Sequence, residues 1–177
     1  MKRSVKVMQF RRKREGRTDY RKRLKMLISG IPRMVVRRTN KNMIVQLVEY
    51  SDNGDKVVVT ANSSELKKLG WKHATGNLPA AYLTGMLAAQ KSKKKSVVKA
   101  IVDLGLQPPR SGSRMYAAVK GAIDNGMNIP CSKEAFPTDE RISGKHISDY
   151  GKKGGSFKTS PADIEKSFSE IKQKLAK

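Results

Sequence analysis

RMVVRRTNKNMIVQLVEYSDNGDKVVVTA, Arg33 to Ala61, decides the fold. Arg33 to Arg38 carries Met34, Val35 and Val36 and reads as a first strand. Thr39-Asn40-Lys41-Asn42 is a turn. Met43 to Tyr50 is a second strand, with Met43, Val45 and Leu47 on one face and Ile44, Gln46, Val48 and Tyr50 on the other. Asp52-Asn53-Gly54-Asp55 is turn chemistry, Asn-Gly supplying positive φ. Lys56 to Ala61 is a third strand, β-branched at Val57, Val58, Val59 and Thr60. Three strands joined by two short turns make an antiparallel meander. Apolar residues on both faces of the second strand place it centrally, covered twice.

Upstream lies RRKREGRTDYRKRLKMLISG, Arg11 to Gly30, with nine Lys/Arg against Glu15 and Asp19 up to Lys25. Its first half is too charged to fold alone. In its second half Tyr20, Leu24, Leu27 and Ile28 share one face of a 3.6-residue period. Thr18 or Asp19 caps that helix, Gly30 suits its C′ position and Pro32 stops it. The spacing predicts a face that docks on the core while Arg21, Lys22, Arg23 and Lys25 point mostly elsewhere. Such a free cationic surface calls for a polyanion; the alternative is a solvated charge run.

Downstream, Ser63 to Leu69 predicts a short helical turn closed at Gly70-Trp71. Pro79 to about Gln90 predicts a helix apolar nearly all round, hence deep in the fold. It ends at Lys91, Lys93, Lys94 and Lys95, cations that suit the negative end of a helix dipole and also form a second basic patch. Val97 to Leu104 reads as a fourth strand, entered through a helix and so parallel to the meander. Gln107-Pro108-Pro109 breaks the chain. Arg114 to Asn125 is an amphipathic helix with Met115, Ala118, Val119, Ala122 and Ile123 on one face. The loop before it, Arg110-Ser111-Gly112-Ser113-Arg114, places two arginines beside helix N-terminal amides, which suits a phosphate as well as an ordinary Ser cap.

The order predicts an α/β fold: a three-stranded antiparallel meander plus a parallel fourth strand in one mixed sheet, packed with helices. We divide the chain into residues 1–30, the basic arm and first helix, residues 31–127, the core, and residues 128–177, an extension. That extension ends in a helix opened by Ser160-Pro161-Ala162-Asp163, with Ile164, Phe168, Ile171 and Leu175 in one stripe. The stripe needs a partner, either the domain itself or another protein.

The totals agree with a polyanion partner. Net charge is +23 in 177 residues, far above the magnitude of about 2–8 useful for solubility. Such self-repulsion destabilises a compact state unless counterions or a bound polyanion neutralise it. The lone Cys131 makes no internal disulfide and suits a reducing compartment. No apolar h-region follows Met1, so no secretory signal is expected, and no run approaches the ~18–20 apolar residues of a membrane span. A polybasic membrane-surface protein would want a lipid signal or bulky insertions, and the arm offers only Tyr20.

Catalytic chemistry is hard to find. His73 and His146 lack metal-spaced neighbours, and one cysteine excludes the usual zinc clusters. Cys131 and His146 read as unrelated residues rather than nucleophile and base. Lys152-Lys153-Gly154-Gly155-Ser156 lacks phosphate-loop spacing. A meander followed by helix, strand and helix also begins nuclease sheets of the ribonuclease H type. That chemistry needs clustered carboxylates, and Glu49, Asp55 and Asp103 have no obvious fourth member. No catalytic residue, metal or cofactor is expected. Aromatics at 6% and no RNP-type motif favour backbone and shape recognition of folded RNA over stacking on single strands.

RRKREGRTDYRKRLKMLISG, RMVVRRTNKNMIVQLVEY, AAYLTGMLAAQK and GSRMYAAVKGAIDNGMNIPCS together resemble the L-eighteen family of large-subunit ribosomal proteins in its archaeal form. The eukaryotic homologue is also similar. The likeness runs colinearly from about Arg11 to Ser132, and AFPTDERISGKHISDY resembles the extension of archaeal and eukaryotic members. The resemblance implies a cytoplasmic, ribosomal protein. It implies binding to 5S rRNA and seating of that RNA on large-subunit rRNA in the central protuberance, beside neighbouring large-subunit proteins. It implies a small α/β fold of the translational-machinery type, without catalysis. Carried onto this sequence, the RNA contacts fall on Arg11, Arg12, Lys13, Arg14, Arg17, Tyr20, Arg21 and Arg23. Arg37, Arg38, Arg110 and Arg114 come next, with Lys93 and Lys94 in the second basic patch. The rival readings are a free basic RNA-binding regulator and a polybasic membrane-surface protein.

Overall fold

The computed structural model describes residues 7–153 and 163–176. Four strands form one sheet in the order β3-β2-β1-β4. They are β1 (Arg33–Arg38), β2 (Met43–Glu49), β3 (Lys56–Asn62) and β4 (Ile101–Asp103). β1 pairs antiparallel with β2, β2 antiparallel with β3, and β1 parallel with β4. The expected mixed sheet is therefore present, with β2 interior and Gly54 at φ 127° in the β2–β3 turn.

The sheet is covered unequally. Met34, Val36, Met43, Val45, Leu47, Val59 and Ala61 face the helices and are buried. On the other face Val35 and Val48 are buried, Ile44 and Gln46 only half so. Double coverage of β2 is thus partial. The β2–β3 pairing is irregular: Leu47 pairs with Val59 but the next residue, Val48, pairs with Val57. The skipped Val58 is a β-bulge, and it reverses the alternation. Val59 points into the core while Val57, 49% exposed, joins Val48 on the outer face.

The first helical segments are the four-residue turn α1 (Arg11–Arg14) and the eight-residue α2 (Tyr20–Leu27). Then come α3 (Leu78–Lys93), α4 (Arg114–Asp124), α5 (Asp139–Ser143), α6 (Lys145–Lys152) and α7 (Ile164–Ala176), with 3-10 turns at Ser63–Leu69 and Lys133–Ala135. Gly70, at φ 105°, closes the first of these turns. In α3, Asn77 accepts a hydrogen bond from the Ala80 amide and Pro79 fits the first turn. Almost the whole of α3 is buried, because the sheet lies on one side and α4 and α7 on the other.

α3 and α4 approach backbone to backbone. A Cβ on Gly85 would lie 1.9 Å from the Ala118 carbonyl oxygen, and one on Gly121 would lie 2.1 Å from the Tyr82 oxygen. Two glycines, one on each helix, make this approach sterically feasible.

The C-terminal stripe folds back on its own domain. Ile164, Phe168, Ile171 and Leu175 are buried, and Phe168 meets Tyr82 with ring centroids 5.6 Å apart. Removing such side chains from water stabilises by about 1.5–3 kcal/mol each. Asn125 Nδ2 donates to the carbonyls of Met86 at 2.9 Å and Leu175 at 3.3 Å, tying three helices together. Ser160 to Ala162, in the expected cap of α7, and Gly154 to Ser156 lie outside the described residues.

β4 is shorter than the run Val97 to Leu104. Ser96 takes φ 58°, and Ala100 N donates to Asn128 O while Asn128 N donates to Val98 O. The first half of the run is thus held by the segment after α4, leaving three residues for the sheet.

Candidate nucleic-acid interface

The arm lies over the outer face of the sheet. Its helix α2 is capped by Asp19, which accepts from the Arg21 and Lys22 amides at 3.0 and 3.1 Å. Its C-cap is Ile28, one residue earlier than a Gly30 C′ requires, and Gly30 at φ 65° closes the following turn.

The orientation of α2 differs from the expectation. Leu24 and Ile28 are 61% and 77% exposed, whereas Arg23, Met26 and Leu27 turn inward. The cause is electrostatic. Arg23 Nη2 donates to Asp55 at 2.8 Å, and Arg33 donates to the other Asp55 oxygen at 2.6 Å and to Asp103 at 2.8 Å. Lys22 Nζ also reaches the Gly105 carbonyl at 3.2 Å. Burial pushes the Asp55 carboxyl upward, but the two guanidiniums outweigh it and hold it below the usual carboxylate range. A two-carboxylate, two-arginine cluster beneath α2 therefore goes with a rotation that leaves Leu24 and Ile28 facing out while Tyr20 and Leu27 stay half-buried.

Between α2 and the sheet runs a groove of about 710 Å³. Val35, Val48 and Val57 form its aliphatic floor, with Met26 on the α2 side. Its other lining includes Arg12, Arg17, Lys22, Arg23, Arg33 and Arg37 against Asp19, Asp55 and Asp103.

The expected contact residues fall into two groups. Arg11, Lys13, Arg14, Arg21, Arg37, Arg38, Lys94 and Arg110 are exposed. Arg11 and Arg17 share Glu15 at 3.4 and 3.1 Å, and Arg12 donates to Thr18 at 2.9 Å. Tyr20 packs against Phe10 with ring centroids 5.1 Å apart and the planes tilted by 39°. The others are engaged with the fold. Besides Arg23, Lys93 Nζ donates to Asn125 at 3.2 Å, and Arg114 donates to the Gly76 carbonyl. Gly76 packs against the Asn40 and Lys41 carbonyls, so Arg114 braces the β1–β2 turn. In the loop before α4 the Gly112 amide already donates to Ala135 O, and Ser113 makes no side-chain cap bond.

The residues weighed for catalysis also find structural roles. Asp55 and Asp103, candidates for a carboxylate cluster, converge on Arg33 instead. Burial raises the Cys131 thiol, the opposite of what activates a cysteine nucleophile. His73 Nε2 lies 3.3 Å from Ser167 Oγ on α7. Among the described residues no helix is long and apolar enough to cross a membrane.

Sheet, arm and groove define a basic α/β scaffold in which the carboxylates of Asp55 and Asp103 serve arginines. The family described as ribosomal large subunit proteins 60S L5 and 50S L18 matches residues 5–98 and 89–132. The large ribosomal subunit protein uL18 of Methanoregula boonei is 47% identical over 169 residues, 96% of this chain and 95% of the relative. That of Korarchaeum cryptofilum is 51% identical over 146 residues, 82% of this chain and 75% of the relative. The chain belongs to this family of large-subunit ribosomal proteins.

Proposed function

We propose that this chain is a structural component of the large ribosomal subunit that binds 5S rRNA. It helps attach that RNA to large-subunit rRNA in the central protuberance, beside neighbouring large-subunit proteins. The observation that carries the reading is the arm. Nine cations between Arg11 and Lys25 meet two acids, and the helix that bears four of them is pinned to the sheet through Arg23 and Asp55. Pinning fixes the direction in which the remaining cations project, so the ordering cost is met before RNA arrives.

Arg11, Arg12, Lys13, Arg14, Arg17, Arg21, Arg37 and Arg38 carry the contacts in this reading, with Tyr20 and Arg110 beside them and Lys94 in a second patch. Arg23, Lys93 and Arg114 chiefly hold the scaffold in register. In the same reading the chain divides into arm (1–30), core (31–127) and extension (128–177). The affinity comes from release of counterions condensed on the RNA. Proteins meeting ~6–10 phosphates on duplex DNA lose about 10³–10⁵ in affinity between 50 and 200 mM salt. A filter-binding titration with a 5S rRNA transcript should show a steep salt dependence of the same kind. Equal affinity for tRNA and the 5S transcript would favour a free RNA-binding regulator instead.

A further inference from the structure

We propose that the groove between α2 and the outer face of the sheet receives one unstacked nucleotide of the bound RNA, its base on the valine floor and its phosphate on the cationic rim. The inference rests on the reading of the chain as an rRNA binder and adds to it a site and a ligand class. A purely electrostatic RNA surface would be flat and polar. This one is concave, and its floor of Val35, Val48 and Val57 is aliphatic.

The floor exists because of the bulge at Val58. Without it, Val57 would face the core with Val59. With it, Val57 stands beside Val48 and stays 49% exposed on a face where arginines outnumber carboxylates. A half-exposed valine there is a poor match for a phosphate backbone and a good match for the face of a base. The volume, about 710 Å³, lies within the ~300–1,000 Å³ of ordinary ligand pockets.

Charge selects a nucleotide over a neutral ligand. Arg33 and Arg23 already hold Asp55, and Arg33 holds Asp103. The groove keeps Arg37, which has no ion-pair partner among the described residues, and Arg12, whose Nε donates to the Thr18 hydroxyl; Arg17 also lines it but is paired with Glu15. Two residues that line it each bury a polar atom without a hydrogen-bond partner, Arg33 Nε and Gln107 Oε1. Such atoms ordinarily find one.

The test is methyl NMR on the full chain with labelled valines. AMP, GMP, CMP and UMP are titrated separately, then inorganic phosphate, then a 5S rRNA transcript. The proposal expects upfield ring-current shifts at Val35, Val48 and Val57 with at least one nucleotide and with the transcript, and none with phosphate. Val57→Lys on the edge strand should weaken transcript binding roughly fivefold, the low end of one base contact, although it adds a positive charge. The fold of the variant is checked by the shifts of the remaining valines. Equal shifts with phosphate, still valines under every nucleotide, or tighter binding by Val57→Lys would each overturn the proposal. Transcript binding that moves only arm resonances would overturn it while leaving the 5S reading intact; absence of transcript binding would remove that reading, with the mononucleotides still deciding the groove.

Discussion

Arg33 on β1 meets Asp103 on β4 at 2.8 Å, their side chains 6% and 11% exposed. The pair joins the two parallel strands on the face opposite the main core. A buried ion pair of this kind is weak evidence of net stabilisation, but removing one partner leaves a buried charge uncompensated. Arg33→Met should destabilise the fold by about 3 kcal/mol, the low end for such a break, since Asp55 keeps Arg23. Arg33→Met with Asp103→Leu should cost clearly less than the sum of the single changes. Urea unfolding of the four proteins in a double-mutant cycle checks this; strict additivity would show that the two side chains do not depend on one another.

Acid should loosen the arm through Asp55. Its carboxyl sits below the usual range in the folded protein, so its contribution is complete above the unfolded value of about 3.9 and declines as pH falls through the lower folded value. The stability difference between the native chain and Asp55→Asn should therefore be level from about pH 5 to 7 and shrink below about pH 4. Urea midpoints across that range measure it. A difference that grew on acidification would reverse the assigned sign.

Gly121→Ala tests the α3–α4 approach. In an ordinary helix interior this change stabilises by roughly 0.5–1 kcal/mol. Here the new methyl would lie 2.1 Å from the Tyr82 carbonyl oxygen, so the sign should invert. A loss of ~3 kcal/mol, the upper end for overpacking, is expected. For a chain of this length that lowers the melting temperature by roughly 6–12 °C. An unchanged or raised melting temperature would mean that the helices part without cost.

The sheet is readable in the sequence because turn chemistry and alternation agree over Arg33 to Ala61. The α7 stripe is readable as a period, though only the fold shows that α3 is its partner. Three features are hidden for physical reasons. The orientation of α2 depends on Arg23, Asp55, Arg33 and Asp103, which are brought together from separate segments and have no shared period. The bulge at Val58 sits in a uniform β-branched run, where one valine reads like the next. The bond from Arg114 to the carbonyl of Gly76 joins two segments that share no motif. Lys22 and Arg33, which line the groove, carry no signal in the sequence beyond their charge.

The arm itself can be separated from the fold. Changing Arg11, Arg12, Lys13 and Arg14 together to Ala touches no buried residue. Circular dichroism and the melting temperature should stay as they are, while 5S transcript affinity falls. The salt slope should drop by up to about 3, or ~0.7–0.9 for each phosphate that the variant no longer neutralises. Collapse of the dichroism spectrum would make the arm a folding element.

The most direct measurement is sedimentation of the tagged chain with ribosomes through a sucrose gradient at high magnesium. The protein should travel with the large subunit, and the four-alanine variant should be depleted from that fraction at moderate salt. A native chain that stays at the top of the gradient, while large subunits lacking it are present to receive it, would contradict its placement as a large-subunit component.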